Sequence, residues 1–356
     1  MQNPYYNEAK ASLIIRKLQP ENKEAPIQFM EAPITDHKLF YRRNHFSYPR
    51  LAQANYWLPV NGHVRTPKLF SIDELRKLPS RTIKVTMECA GNKRRFFEPK
   101  VFGEQWEKGA ISQGYWKGVS LHTVLQQAGL KQGAKEVVFE GYDYGVRTDL
   151  DAVVSFVRSL PLKKALHPDT IIAYEYNNQP IPFRHGFPLR LIVPQWYAMA
   201  SVKWLKQITI IDQEFSGPFQ TIDYMYYPNK ETNDNAQPVT ILNVNSIIQK
   251  PLHMEILNTG IHPIKGIAWT GKGIITKVEI STDNGETWSE AKIQNQTHGH
   301  YGWVTWEMNW KITKKGEFTI LSRASDSHGR VQPATPLWNR KGYGYNAIDK
   351  VNIKIE

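Results

Sequence analysis

One residue dominates the chemistry that this sequence can offer. Cys89 is the only cysteine among 356 residues. A lone cysteine usually packs as a small hydrophobe. This one sits at the end of an alternating run and leads into Ala90-Gly91-Asn92-Lys93-Arg94-Arg95. A glycine there lets the backbone turn and a ligand approach. Three following cations are expected to lower the thiol pKa and favour the thiolate, which is a soft metal ligand. A second cluster, Arg184-His185-Gly186-Phe187-Pro188-Leu189-Arg190, with Lys203 beyond it, has the donors that grip a phosphate. A solvated loop explains it equally well. A third knot, Arg42-Arg43-Asn44-His45, lies between aromatic residues. Alone it reads as a solvated turn, and His298-Gly299-His300 as a hairpin loop rather than a metal site. Nucleotide-binding glycine loops, HExxH and paired-cysteine zinc patterns are all missing, which argues against nicotinamide, ATP and zinc enzymes.

Elements must hold these residues in place. Residues 82–88 alternate, with Ile83, Val85 and Met87 on one face, and period two puts Cys89 on that inward side. Ser71 and Glu74 spell a capping box that opens a short helix ending before Pro79. Leu121, Val124, Leu125 and Ala128 share a helical face, and Gly129 stops it. Residues 137–140, 170–176, 189–193 and 202–211 read as strands, with a turn at Asn177-Asn178. The polar stretch 229–237 followed by Pro238 marks a domain boundary. Beyond it, residues 275–281 and 287–293 flank Asp283-Asn284-Gly285 as a hairpin, and residues 301–310 and 317–324 keep strand spacing. The expected division is an extended arm at 1–32, an α+β domain at 33–237 and an all-β sandwich at 238–356.

Bulk properties narrow the partners. Lys and Arg total 45 against 33 Asp and Glu, a formal charge of +12 that favours anionic ligands. No basic run reaches five residues, so the charge reads as surface plus anion pocket rather than nucleic-acid binding. A single cysteine excludes an internal disulfide, and no stretch is long and apolar enough for a membrane span. The first ten residues lack an apolar signal core, so a cytoplasmic location is expected.

Five ordered blocks together resemble the sulfite oxidase family of molybdopterin enzymes. They are LFYRRNH (39–45), ECAGNKR (88–94), GAISQGYWKGVSLHTVLQQAG (109–129), the stretch 174–210 with HGFPLR and SVKWL, and PLWNRKGYGYNA (336–347). The resemblance implies a mixed α+β molybdopterin-binding domain followed by an immunoglobulin-like sandwich used in homodimerisation. It makes Cys89 the molybdenum ligand. It places Asn44, His45, Asp143, His185, Arg190, Ser201, Val202 and Lys203 around the molybdopterin, and Arg43 and Tyr224 beside the metal. The closing block, taken as a strand, has Lys341 where the family has its substrate arginine, with Arg340 just before it. Tyr115 stands where the family has another arginine. The haem motif of animal members has no counterpart, so no haem is expected. The implied reaction is oxygen-atom transfer involving sulfite or a related small oxyanion, with electrons passed to a cytochrome or oxygen. The alternatives are a reductase of a sulfoxide or oxyanion at the same site, and a non-catalytic molybdopterin-binding protein.

Overall fold

The computed structural model describes residues 12–51, 56–294 and 301–356, so His298 to His300 lie outside it. Strands dominate the described residues. The α-helices are short: Ile72–Lys77, Leu121–Ala128 and Leu162–Ala165. The first has its capping box complete. Ser71 Oγ accepts from Glu74 N at 3.2 Å, and Ser71 N donates to Glu74 Oε2 at 2.8 Å. The second buries all four residues of its apolar face and ends at Gly129, φ +67°.

The first half of the chain contains two five-stranded sheets. One runs Lys68–Ser71, Trp57–Gly62, Leu205–Ile211, Glu136–Arg147, Ala152–Pro161. The other runs Gln179–Pro180, Ile171–Tyr176, Ile111–Ser120, Ser80–Glu88, with Arg190–Ile192 also paired to Ile171–Tyr176. Val60, Phe139 and Ile208 of one sheet join Val119, Ile172 and Leu191 of the other in one apolar core. Residues 202–204 stay outside the strand expected there, which begins at Leu205. Asn177 and Asn178 form the expected turn, both with positive φ.

The Ser80–Glu88 strand has two distinct faces. Val85 and Met87 share a buried cluster with Cys89, which lies just past the strand's end. Thr86 and Glu88 point the other way, toward the second half. Trp303 N donates to Thr86 Oγ1 at 2.7 Å, and Trp269 Nε1 donates to Glu88 Oε2 at 2.9 Å.

Two sheets build the second half. Asn245–Lys250, Gly260–Trp269, Val304–Ile312 and Lys292–Gln294 form one; Ile256–Leu257, Asp349–Ile355, Gly316–Asp326, Ile275–Ser281 and Ser289–Glu290 form the other. Ile264 and Trp306 meet Val278, Ile320 and Val351 in a core between them. The expected hairpin is present, but its return arm divides. Ser289–Glu290 pairs back on Ile275–Ser281, and Lys292–Gln294 crosses to the other sheet. The halves are not insulated from each other: Trp269 and Trp303 belong to the core of the first half.

Residues 336–347 do not form the expected closing strand. Asn339 takes both backbone groups of Tyr343, accepting from its N–H at 2.9 Å and donating to its C=O at 2.8 Å. Gly342 and Gly344 are left-handed, with φ of +63° and +66°. These bonds replace a ladder, so alternation does not set the facing of Arg340 and Lys341.

Candidate functional site

The turn after Ser80–Glu88 fixes Cys89 by its backbone. Cys89 N donates to Ala110 O at 2.9 Å, and Cys89 O accepts from Asn92 N at 2.9 Å. The Asn92 side chain spans the turn, donating to Glu88 Oε1 at 3.1 Å and accepting from Ala110 N at 3.1 Å. The left-handed residue here is Lys93, φ +66°, and not Gly91. Gly91 is needed for a different reason: a Cβ on it would lie 2.6 Å from the Arg94 guanidinium.

The three cations after Cys89 part company. Lys93 donates to Asn245 Oδ1 at 2.9 Å in the second half, and Arg95 pairs with Glu107 at the surface. Arg94 alone turns back, donating to the carbonyls of Lys341, Gly342 and Glu104 and lying 5.0 Å from the Tyr343 ring centre. The expected fall in thiol pKa does not occur. Burial pushes the Cys89 thiol up, outweighing the pull of Arg43 and Arg94.

Cys89 opens into a partly enclosed cavity. Arg43, His45, Asp143, His185, Arg190, Ser201, Lys203 and Tyr224 line it. Distant segments therefore converge as the motifs suggested. Asn44 and Val202 stand one layer behind. Asn44 Oδ1 accepts from Lys203 Nζ, and Val202 O accepts from Leu191 N.

Arg340 and Lys341 lie outside the cavity wall. Arg340 stacks over Tyr227 at 4.5 Å and donates to Asn233 Oδ1 at 2.6 Å; Lys341 Nζ lies 3.9 Å from Asp223. Neither residue lines the cavity, whose wall gives no support to the substrate-binding role expected of them. What the loop at 336–347 brings toward the site is Tyr343, stacked on Tyr224 at 5.4 Å. Tyr115, which stands where the family has an arginine, is exposed and does not line the cavity; its N–H donates to Asn177 Oδ1 and its C=O accepts from Asn177 N. Phe40, Tyr41, Phe156 and Met199 also line it without having been singled out, and Arg184 of the expected phosphate cluster lines it too. Phe40 and Tyr41 could have been found from their place in the LFYRRNH block.

The pocket carries an excess of positive charge. Arg43, Arg190 and Lys203 form no ion pair among the described residues. Arg190 spends its donors on the carbonyls of Ser201 and His185, and Lys203 on Arg43 O and Asn44. Burial holds the Arg190 guanidinium down at about 10 and draws the Lys203 ammonium down, with the Asp143 carboxylate opposing the second shift. Burial, aided by neighbouring cations, keeps His45 and His185 well below the ordinary histidine value. Asp143 Oδ1 is buried without a hydrogen-bond partner. Buried cations and an orphaned acceptor are costly unless a ligand answers them.

Comparison with known proteins shows what that ligand is. Residues 45–219 match the model of an oxidoreductase molybdopterin binding domain, and residues 236–356 that of a Mo-co oxidoreductase dimerisation domain. The chain is 33% identical over 375 residues to mitochondrial sulfite oxidase of Rattus norvegicus, covering 99% of this chain and 68% of that protein. The chain belongs to the sulfite oxidase family of molybdopterin oxidoreductases. Within this molybdenum-cofactor family, it is also 32% identical over 367 residues to the NADH nitrate reductase of Ulva prolifera, covering 95% of this chain and 42% of that protein. The sulfane dehydrogenase SoxCD from Paracoccus pantotrophus has the same fold, with a TM-score of 0.83 at 25% identity, covering 100% of this chain and 93% of that one.

The donor set fits the cofactor of a sulfite oxidase family member. Arg190 and Lys203 suit its phosphate. Asp143 Oδ1 can accept from a pterin N–H. Cys89 supplies a thiol whose proton a metal would displace. Among the described residues, no cluster of histidines, carboxylates and cysteines offers a rival metal site.

Proposed function

We propose that the chain oxidises sulfite, or a closely related small sulfur oxyanion, and passes the electrons to a separate acceptor such as a cytochrome or oxygen. One observation carries this reading: Arg43, Arg190 and Lys203 line the Cys89 cavity, and none of them forms an ion pair among the described residues. A doubly charged oxyanion answers that field. When bound, the molybdenum cofactor supplies the oxygen-atom and two-electron chemistry. Cys89 holds the metal. Arg190 and Lys203 anchor the phosphate end, and His185 and Ser201 pack beside it. Arg43 holds the anion, and Tyr224 donates a hydrogen bond to one of its oxygens. The sulfane dehydrogenase and the sulfite oxidases among the similar proteins support a sulfur substrate.

The second half is read as an immunoglobulin-like sandwich that pairs two copies of the chain. Its two sheets around one core and its match to a dimerisation domain support this. We place the division between the halves at 237/238.

A second reading is reduction of an oxyanion such as nitrate, favoured by the 32% identity to nitrate reductase. Chain purified from molybdate-supplied cells tests both. The expected result is near one molybdenum per chain, sulfite-dependent reduction of cytochrome c, and loss of turnover in Cys89→Ser. Molybdenum-loaded chain that reduces nitrate with a viologen donor and ignores sulfite would overturn the sulfite reading.

A further inference from the structure

Two phenols shut one end of the Cys89 cavity. The other end is open, where Arg184 is exposed. Tyr224 and Tyr343 are both buried and stack at 5.4 Å, with their ring planes 26° apart. They face different spaces. Tyr224 lines the cavity, whereas Tyr343 lines a separate surface groove with Tyr226, Lys272, Arg330 and Trp338. The stacked pair stands between the two.

The rings are held differently. The Tyr224 hydroxyl lies 2.7 Å from His45 Nε2. The Tyr343 hydroxyl has no hydrogen-bond partner among the described residues. Its ring is held only by the stack and by the Arg94 guanidinium, 5.0 Å from its centre. Asn339 clamps the residue through its backbone alone. Burial pushes the Tyr343 phenol up to about 12 against the pull of Arg94, and Arg43 and Cys89 also bear on it, as they do on Tyr224. The Tyr343 hydroxyl is thus within electrostatic reach of the cavity while the residue lines the groove.

The groove suits an anion. Lys272 and Arg330 line it, and no carboxylate does. Arg330 pairs with Asp326, but Lys272 is exposed and forms no ion pair among the described residues. Cations in a concave surface raise the local concentration of anions. With the cofactor's phosphate end at Arg190 and Lys203, the open mouth of the cavity is filled, and a substrate has to arrive from the other end.

We propose that this groove is the entry for the substrate anion, and that Tyr343 is a specificity-determining residue whose ring limits the size of what reaches the Cys89 cavity. The inference rests on the reading of that cavity as an oxyanion site. The ring admits a bare oxyanion and excludes one that carries an apolar group. Its removal leaves a ring-sized space beside Tyr224, and an apolar space of that kind binds a group of matching size.

Two measurements test it. Calorimetry on the cofactor-loaded full chain compares inorganic sulfate with benzenesulfonate. Wild type should bind sulfate and discriminate against benzenesulfonate. Tyr343→Ala should bind benzenesulfonate about tenfold or more tighter than wild type does, from burial of the phenyl ring, with sulfate affinity little changed. Tyr343→Phe keeps the ring and should behave as wild type. The Asn339 clamp survives both changes, because it holds only backbone groups. Benzenesulfonate bound no better by Tyr343→Ala than by wild type, or admitted equally by Tyr343→Phe, overturns the size limit. The second measurement is sulfite turnover of Lys272→Glu, a change at an exposed position. At low ionic strength its kcat/KM should fall about threefold or more with kcat unchanged, and the gap should close in high salt. An unchanged kcat/KM overturns the groove as the entry. Calorimetry needs no turnover, so a chain that binds sulfate but does not oxidise sulfite counts against the proposed function and not against the size limit. Wild type that binds no sulfate refutes the oxyanion reading, and this inference with it.

Discussion

Trp269→Phe separates packing from hydrogen bonding at the seam between the halves. Trp269 Nε1 donates to Glu88 Oε2 at 2.9 Å, and Asn92 Nδ2 holds Oε1 at 3.1 Å. Burial pushes the Glu88 carboxyl up to about 7 in spite of those bonds and of Lys93. At pH about 8 the group is mostly ionised, and a donor to a buried anion contributes about 1.5–3 kcal/mol. Phenylalanine also leaves a void of roughly 40 Å³, costing about 1 kcal/mol more. The total is about 2.5–4 kcal/mol. In a Glu88→Gln background the lost bond is neutral and contributes about 1 kcal/mol, so the same substitution should cost only about 2 kcal/mol. Guanidinium unfolding followed by circular dichroism on all four proteins gives the coupling, expected at about 1 kcal/mol or more. Equal costs in the two backgrounds would show that Trp269 acts by volume alone. The seam would then hold the Cys89 turn by packing rather than through Glu88 and Asn92.

Three further outcomes can be measured. Arg43→Gln should raise the KM for sulfite at least tenfold, and an unchanged KM would remove Arg43 from the anion site. Gly342→Ala, at φ +63°, would place a Cβ 2.4 Å from Val101 Cγ2 and 2.9 Å from Arg94 Cγ; it should destabilise the chain by about 2–4 kcal/mol, and guanidinium unfolding with a midpoint equal to wild type would refute this. Although burial opposes it, bonds from Lys23 and Tyr48 and the charge of Arg42 hold the Glu21 carboxyl down at about 2. A carboxyl whose folded value is depressed stabilises above its unfolded value and loses that contribution as pH falls toward the folded one. The hairpin of Ile14–Lys17 and Asn22–Glu24, joined to residue 42 by the Lys23–Arg42 bridge, should therefore lose hydrogen-exchange protection between pH about 4.5 and 2. Glu21→Gln should lack much of that protection at pH 6; undiminished protection there would refute the role of Glu21.

Sequence patterns revealed those parts of the fold that obey a local rule. Alternation through Ile83, Val85 and Met87 put Cys89 on the cluster side, and Ser71 with Glu74 marked a helix start that the structure reproduces atom by atom. The same alternation misleads at Thr86 and Glu88. Polar residues on the second face of a strand read as solvent-facing, yet both are buried and bonded to tryptophans 181 and 217 residues away. No local pattern encodes a partner at that distance. The loop at 336–347 failed for another reason. Its backbone bonds are taken by the Asn339 side chain, and no local pattern in the block carries a sign of that substitution. Arg340 and Lys341, which the block's pattern marks, stay out of the cavity wall, and Tyr343, which it does not mark, stacks on Tyr224 beside it.

The bond from Gly344 N to Ala90 O, at 2.8 Å, has a consequence in time. Ala90 follows the cysteine directly, yet its partner is synthesised about 250 residues later, more than ten seconds at about 5–20 residues per second. For that interval the nascent chain holds Cys89 in a turn with one side open. Arg94, too, lacks the Lys341 and Gly342 carbonyls that orient it. Ribosome-bound chain ending before residue 336 should therefore retain cofactor poorly, and residues 336–347 act as a latch that shuts the site only once they have been made.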